Sequence, residues 1–239
     1  MTLHETLPAD THDEKAIERP SVYVYDAPVR IWHWGNAVSI LTLALTGYLI
    51  GSPLISVSGE ASANYLMGRI RFIHFAAAQT LTVLLILRVY WVFVGNVHAR
   101  QIFYVPIWSG RFWKEWSHEV RRYMFMTRQT KKYAGHNPLA RFTMFLLFTL
   151  PLFFMVITGF ALESEGAGRD SWEYVLFDWV FSIWPNSQDI HTNHHLGMWG
   201  IVIFVIVHIY VAVREDIMSR QGIISSMISG ERFFKDMED

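Results

Sequence analysis

The sequence predicts an all-α integral membrane protein, a four-helix bundle with both termini cytoplasmic and an amphipathic surface helix in the middle loop. Apolar residues make up 52% of the 239 residues. Charged residues make up only 17%, against roughly 25% in soluble domains. Aromatic residues reach 15%, which is typical of chains with aromatic belts at the two membrane interfaces. Four apolar segments also approach the length of about 20 residues that crosses a bilayer.

The four apolar segments define the predicted bundle domain, residues 29–218. They run over about 31–50, 70–94, 139–162 and 194–213. Each is too apolar and too long for an ordinary surface helix, so we expect all four to cross the membrane.

The segments outside the bundle are polar. Residues 1–28 have no apolar core of the kind that a signal peptide needs, so we expect a mobile cytoplasmic tail. Residues 219–239 are expected to form a second cytoplasmic tail with a short surface helix over about 223–234. Residues 111–126, rich in Trp, Arg and Lys, predict the amphipathic helix on the cytoplasmic surface.

The distribution of Lys and Arg predicts the orientation. The connection over 95–138 carries eight of them, the loop over 51–68 carries none, and the loop over 163–190 carries only Arg169. Basic loops stay on the cytoplasmic side. The other two loops therefore face the periplasm if the source is a Gram-negative bacterium. We expect a multi-pass protein of the bacterial inner membrane, with an aromatic and acidic stretch over 172–184 at the outer interface as a candidate docking surface.

The chain has no cysteine and eleven histidines. The absence of cysteine excludes disulfides, iron–sulfur ligation, thiolate zinc sites and covalently attached c-type haem within this chain. Imidazole is therefore the obvious metal ligand. Ionisable side chains inside a membrane are costly and usually mark a functional site.

Two of these histidines share one face of the fourth segment. His194 and His208 are fourteen positions apart, which is nearly four whole helical turns and roughly 21 Å along the axis. His191 and His195 are rival positions for the first ligand, although His194 fits whole turns best. The spacing predicts two metal sites stacked across the membrane.

Histidines of the first two segments supply the opposite ligands. His33 starts the first segment near the cytoplasmic face, and His74 lies early in the second segment near the outer face. One metal between two imidazoles needs both at the same depth, because each metal–nitrogen bond is about 2 Å long. Depth therefore pairs His33 with His208 at an inner site and His74 with His194 at an outer site. Bis-imidazole ligation in a bundle core favours two haems b.

Other residues fall at the same depths. Gly47 and Gly159 lie level with the outer pair, where a missing side chain would let a flat ring approach the backbone, although simple helix packing also explains them. Arg88 lies on the His74 face at the inner depth. It is either a snorkelling arginine or a partner for a haem propionate. Arg71 is a similar candidate at the outer site.

Two long motifs carry a family resemblance. Residues 30–34, Arg-Ile-Trp-His-Trp, running on to Leu45-Thr46-Gly47, resemble the first signature of the b-type cytochrome subunit of membrane-bound nickel–iron (NiFe) hydrogenases. Residues 191–199 with His208 resemble the second signature. The likeness extends over residues 22–218, and it also relates the chain to the cytochrome b subunit of respiratory formate dehydrogenases.

The resemblance implies a membrane anchor that accepts electrons from the small and large subunits of a periplasmic hydrogenase. Two haems b would pass these electrons to the quinone pool. Hydrogen chemistry would take place on the partner subunits and quinone reduction on this chain, with no nucleic acid involved. The alternatives are a diheme cytochrome b that serves another respiratory dehydrogenase and, less favoured, a haem-free metal transporter or structural anchor.

The resemblance also implies a quinone site near the cytoplasmic haem. His136 and Asn137 precede the third segment at that depth, where they would hydrogen-bond a quinone carbonyl and deliver a proton. The alternative for both is a structural role, because Asn before Pro is a common way to begin a helix.

Overall fold

The computed structural model describes residues 21–53, 64–127, 129, 131, 133, 135–219 and 222–233. The elements, in chain order, are β1 (Ser21–Tyr23), α1 (Ala27–Gly51), α2 (Leu66–Val94), a 3₁₀ turn (Val97–Arg100), α3 (Gly110–Tyr123), α4 (Pro138–Met144), a π-helical turn (Phe145–Thr149), α5 (Leu150–Ala167), α6 (Trp172–Phe177), α7 (Trp179–Ile183), α8 (Ser187–Ser219), α9 (Ile223–Ser229) and β2 (Glu231–Phe233).

Four helices are long and apolar enough to cross a membrane, which confirms the predicted fold class. They are α1, α2, the continuous helix Pro138–Ala167 and α8. Each begins or ends outside its predicted apolar range; α8 starts at Ser187 and ends at Ser219. Hydropathy detects only the part of a helix that contacts lipid, whereas the backbone hydrogen bonds continue into the polar turns at both ends.

The third spanning helix is irregular near its middle. A π-helical turn, Phe145–Thr149, joins α4 to α5. Pro151 follows directly, and it has no N–H to donate to the carbonyl of Leu147, one turn earlier. A π-helical turn is a common way to absorb such a break, so we attribute the irregularity to this proline.

The spanning helices pack in two close pairs. α1 lies against α2, and α5 lies against α8. Leu81, Leu85 and Leu152 form a buried apolar cluster between α2 and α5. Many large apolar side chains point outward, among them Phe72 and Phe93. An apolar exterior of this kind is expected where lipid rather than water is the solvent.

The predicted amphipathic helix is present as α3. Ser109 caps it, with its hydroxyl accepting a hydrogen bond from the amide N–H of Phe112 at 3.4 Å. Phe112 and Glu119 are buried, while Arg111 and Lys114 are exposed. The helix therefore presents one covered face and one basic exposed face.

A two-stranded sheet closes one end of the bundle, here called the sheet end. β1 pairs antiparallel with β2, and Val22 lies opposite Arg232. Gly230 makes the turn into β2 with a φ of 89°, a conformation that favours glycine. Its carbonyl accepts hydrogen bonds from the amides of Val24 and Tyr25 at 2.9 and 3.2 Å.

The sheet changes the predicted boundaries of both tails. Residues 21–28 belong to β1 and the start of α1 rather than to a tail, and the expected helix over 223–234 is shorter and continues into β2. Pairing between residues about 210 positions apart in sequence leaves no local pattern to detect. Residues 1–20 and 234–239 lie outside the described residues.

Candidate functional site

The inner histidine pair lies near the sheet end. His33 on α1 and His208 on α8 have ring centres 6.3 Å apart, with their planes at 53°. Two imidazoles on one iron, each with a bond of about 2 Å, place their ring centres about 6 Å apart. The separation is therefore the one that a single metal between the two rings requires.

The first outer histidine is held by α1. The Nδ1 atom of His74, on α2, lies 2.8 Å from the hydroxyl oxygen of Thr46. A Cβ atom added to Gly47 would lie only 3.3 Å from Cε1 of the same ring. The absence of a side chain at residue 47 therefore lets the imidazole lie directly against the α1 backbone.

The second outer histidine has the same surroundings on different helices. The Nδ1 atom of His194, on α8, lies 2.8 Å from the hydroxyl oxygen of Thr158 on α5. A Cβ atom added to Gly159 would lie 3.3 Å from Cε1 of His194. The Thr-Gly pairs of α1 and α5 thus do the same work for two different histidines.

The two outer histidines lie at the same depth. A Cβ atom on Gly47 would approach His74 and also the sulfur of Met198 at 3.4 Å, and Met198 is one turn along α8 from His194. The charges of the His74 and His194 rings are close enough to interact. The structure thus brings together both pairs that depth matching predicted, while their role as haem ligands stays a prediction.

The rival histidines of α8 point elsewhere. The ring of His195 lies against Gly51, and its Nε2 atom accepts a hydrogen bond from the Trp199 indole at 3.1 Å. His191 is exposed, and its Nδ1 atom lies 3.0 Å from the carbonyl oxygen of Ser187, one turn earlier. Of the three histidines, only His194 faces the outer pair's side of the bundle.

The inner site has unsatisfied polar atoms beside it. Arg88 is 3% exposed and donates to the Ala99 carbonyl at 2.6 Å, and its guanidinium lies 5.2 Å from the Trp32 ring centre. Among the described residues, Nε and one terminal nitrogen of Arg88, the Trp32 indole N–H and both amide atoms of Asn36 have no hydrogen-bond partner. Buried polar groups normally have partners. These atoms suit a ligand that brings anionic or polar groups, as haem propionates do.

The remaining predicted site residues have different surroundings. Arg71 is exposed on the first turns of α2, so its predicted role at the outer site is untested. Asn137 caps α4, with its side-chain oxygen accepting from the Ala140 amide at 2.7 Å, and Pro138 follows it. The cap that the sequence offered as an alternative is therefore present, and it occupies the Asn137 carbonyl.

His136 belongs to a polar chain at the sheet end. Its ring Nδ1 atom lies 3.1 Å from Oε1 of Gln101, which also accepts from the His136 amide at 2.9 Å. A carbonyl oxygen only accepts, so Nδ1 donates and Nε2 is left to accept from the Tyr25 hydroxyl at 3.4 Å. The amide nitrogen of Gln101 donates to Nδ1 of His98 at 3.0 Å. The chain therefore runs from Tyr25 to His98.

Burial lowers the pKa of His136 to about 3, and the positive charge of Arg232 adds to the effect. The charge of His208 acts in the same direction, so His136 lies within electrostatic reach of the inner pair. Burial also raises the pKa of Tyr25 to about 12. Both groups are therefore neutral at pH 7.

Sequence reasoning did not identify several of these residues as functional. Thr46 and Thr158 were noticed only as parts of a weak Thr-Gly-aromatic repeat, and that repeat was the available signal. Asn36 is a polar residue inside an apolar segment, which is unusual enough to mark it. Gln101 lies in a loop without any motif, and nothing in the sequence connects it with His136.

The four-helix membrane fold and its paired intramembrane histidines define the class of b-type membrane cytochromes. The sequence profile of the family described as prokaryotic cytochrome b561 matches residues 24–230. The chain belongs to that family, and membership implies haem b as cofactor. The recognition of a b-type cytochrome from the two motifs is confirmed.

Curated relatives match over almost the full chain. The probable Ni/Fe-hydrogenase B-type cytochrome subunit of Rhizobium leguminosarum is 82% identical over 239 residues, 100% of both chains. That of Bradyrhizobium diazoefficiens is 64% identical over 228 residues, covering 95% of this chain and 92% of the relative. The probable Ni/Fe-hydrogenase 1 B-type cytochrome subunit of Escherichia coli is 47% identical over 217 residues, covering 90% and 92%.

Proposed function

We propose that this chain is the membrane anchor and electron-transfer subunit of a hydrogen:quinone oxidoreductase complex. It receives electrons from a periplasmic NiFe hydrogenase and passes them through two haems b to the quinone pool. The names of its relatives support the hydrogenase partner. The single observation that carries the proposal is the pair of rings, His33 and His208, whose centres lie 6.3 Å apart.

The residues of the chain hold and insulate the two redox groups. His33 and His208 ligate the inner haem, and His74 and His194 ligate the outer one. When bound, each haem supplies one-electron exchange at its iron, and the protein supplies ligands, orientation and a low dielectric. Arg88 and Asn36 offer unpartnered polar atoms to the propionates of the inner haem. The fourteen-residue step along α8 puts the two sites roughly 21 Å apart along its axis.

The hydrogenase docks at the end that carries α6 and α7. Trp172, Val175 and Trp179 expose large apolar side chains there, and the loop around them is acidic. Aromatic residues that are exposed near a membrane interface suit both lipid and a protein partner. This end lies beside the outer pair, so electrons would enter there.

Quinone binds near the sheet end, next to His136. The electrostatic effect of His208 on His136 and the polar chain from Tyr25 to His98 support this position. Neutral His136 already donates to Gln101, so its Nε2 atom would accept a hydrogen bond rather than donate a proton. Asn137 contributes through the cap that fixes the start of α4.

Histidine replacement tests the assignment of the ligands. His33→Ala and His208→Ala should each remove the same one of two haems b and leave the other, because each metal loses one of its two protein ligands. His74→Ala and His194→Ala should each remove the other haem. Haem content per chain and the reduced-minus-oxidised spectrum of purified membranes provide the measurement, and His191→Ala is the control that should retain both haems. Loss of different haems from His33→Ala and His208→Ala would contradict the pairing.

Copurification tests the partner. A tagged chain should carry with it a nickel–iron enzyme, and the purified complex should reduce a quinone with hydrogen. Recovery of a different dehydrogenase would favour the alternative of a diheme cytochrome with another electron donor. Active membranes without a b-type absorption band would reject the electron-transfer function altogether.

A further inference from the structure

The position of one hydrogen atom on each of two threonines carries a further inference. The Thr46 hydroxyl donates to the carbonyl of Thr42 at 2.6 Å, and the Thr158 hydroxyl donates to the carbonyl of Phe154 at 2.8 Å. A hydroxyl has a single hydrogen to donate. Each threonine oxygen, 2.8 Å from a histidine Nδ1 atom, is therefore left to accept. The proton on each imidazole must lie on Nδ1.

This arrangement determines which nitrogen of each ring can bind iron. With Nδ1 protonated, Nε2 of His74 and of His194 is the free lone pair, since the hydrogen bond at one nitrogen sets the role of the other. Thr46 is 8% exposed and Thr158 only 1%, so water does not compete for their oxygens. Gly47 and Gly159 keep the rings against the backbone from the same side. Tautomer and ring position are both fixed before a metal arrives.

The inner pair is built differently. The Nδ1 atom of His33 is buried and has no hydrogen-bond partner among the described residues. A ligating imidazole whose second nitrogen donates a hydrogen bond becomes a stronger base toward its metal. A stronger base stabilises ferric over ferrous iron and so lowers the reduction potential.

We propose that Thr46 and Thr158 are positioning residues that lower the reduction potential of the outer haem relative to the inner haem. The effect would direct electrons from the hydrogenase end toward the sheet end. The inference depends on the proposed function in one respect, the presence of a bis-histidine haem at each site. It is independent of the identity of the dehydrogenase and of the quinone site.

A redox titration of the purified, haem-loaded chain tests the proposal. Thr46→Val and Thr158→Val keep nearly the same shape but remove the acceptor oxygen. Each should raise the midpoint of the same single haem, by up to a tenfold change in its reduction equilibrium, which is about 59 mV for one electron. The other midpoint should not move. Thr46→Ser and Thr158→Ser keep the hydroxyl and should restore the parent value.

Thr42→Val is the matched control. Thr42 lies one turn before Thr46 on α1, and its hydroxyl donates to the Val38 carbonyl at 2.9 Å. Its replacement should leave both midpoints unchanged. If a valine variant loses one haem, recovery of that haem in the serine variant supports the proposal, and failure of serine to recover it overturns the proposal.

Two further outcomes overturn the inference. One is a pair of valine variants that retain both haems with unchanged midpoints, and the other is an equal shift of both midpoints. A parent chain without two b-type midpoints would instead reject the proposed function, so the two failures are distinguishable.

Discussion

Each outer histidine ring lies between a threonine hydroxyl and a glycine, whereas the inner ring of His33 has neither. At the scale of residues, the protein thus treats two chemically identical ligand pairs differently. Small, buried, uncharged groups make the difference, and they cost little in the membrane because their hydrogen bonds are satisfied on the helix itself. Tuning by such groups avoids placing further charge in the lipid phase.

His136 is the residue with the sharpest pH-dependent prediction. Its pKa is about 3 in the folded chain and about 6.5 in an unfolded one. Between these values the unfolded chain binds a proton that the folded chain does not, so stability should fall as pH drops from about 6.5 toward 3. In His136→Gln this loss should be smaller.

Thermal unfolding of the purified protein between pH 7.5 and pH 4.5 provides the measurement. At pH 7.5 both forms have a neutral side chain at residue 136, so the difference there reports only the altered hydrogen bonds to Tyr25 and Gln101. An equal fall in unfolding temperature for parent and variant would contradict the prediction.

At the scale of elements, a buried ion network fastens α3 to the end of α8. Arg122 donates to Glu119 at 2.9 Å within α3 and to both carboxylate oxygens of Glu215 on α8 at 3.0 and 2.9 Å. The Tyr123 hydroxyl also donates to Glu215, at 3.3 Å. Amphipathicity places α3 on the membrane surface, but these contacts fix where on the bundle it lies.

Arg122→Met should release α3 from the bundle. It leaves the carboxylates of Glu119 and Glu215, whose side chains are 1% and 14% exposed, without their cation. Breaking a buried pair in this way costs about 3 kcal/mol or more. Hydrogen exchange of the α3 amides should rise, and the unfolding temperature should fall.

Arg111→Met is the control for this change. Arg111 pairs with Glu115 on the same helix at 3.0 Å, but its side chain is 87% exposed. An exposed pair contributes about 0–1 kcal/mol, so exchange in α3 should stay near the parent rate. Equal effects of the two substitutions would argue that the network does not hold α3.

At the scale of the whole molecule, charge asymmetry sets the orientation that the proposed function needs. Basic residues concentrate in the connection over 95–138, at the sheet end, and the opposite loops are acidic or uncharged. The sheet end is therefore expected in the cytoplasm. In that orientation the outer pair faces the hydrogenase and the inner pair faces the quinone site.

Single cysteines test the orientation without background, because the chain has none of its own. Lys114 on α3 and Glu165 near the end of α5 are both exposed. A membrane-impermeant maleimide should label Glu165→Cys from the periplasmic side of intact inner membranes, and should label Lys114→Cys only after lysis. The reverse pattern would place the outer pair on the cytoplasmic side and exclude a periplasmic donor.

The spans, the family and the depths of His33, His74, His194 and His208 could be predicted from the sequence. These properties follow from hydropathy and from helical geometry, which act over one segment at a time. The strand pairing of residues 21–23 with residues 231–233 and the ordered start of α1 were not predictable, because the partners lie at opposite ends of the chain.

The sequence by itself determined that four apolar helices carry histidines at two matched depths. Only the tertiary structure decided that His194 rather than His195 faces the site, that Thr46 and Thr158 meet different histidines, and that Gln101 holds His136. The physical reason is that helix rotation and side-chain direction depend on packing against elements distant in sequence. Depth along a helix is a local property, whereas the identity of the neighbour across it is not.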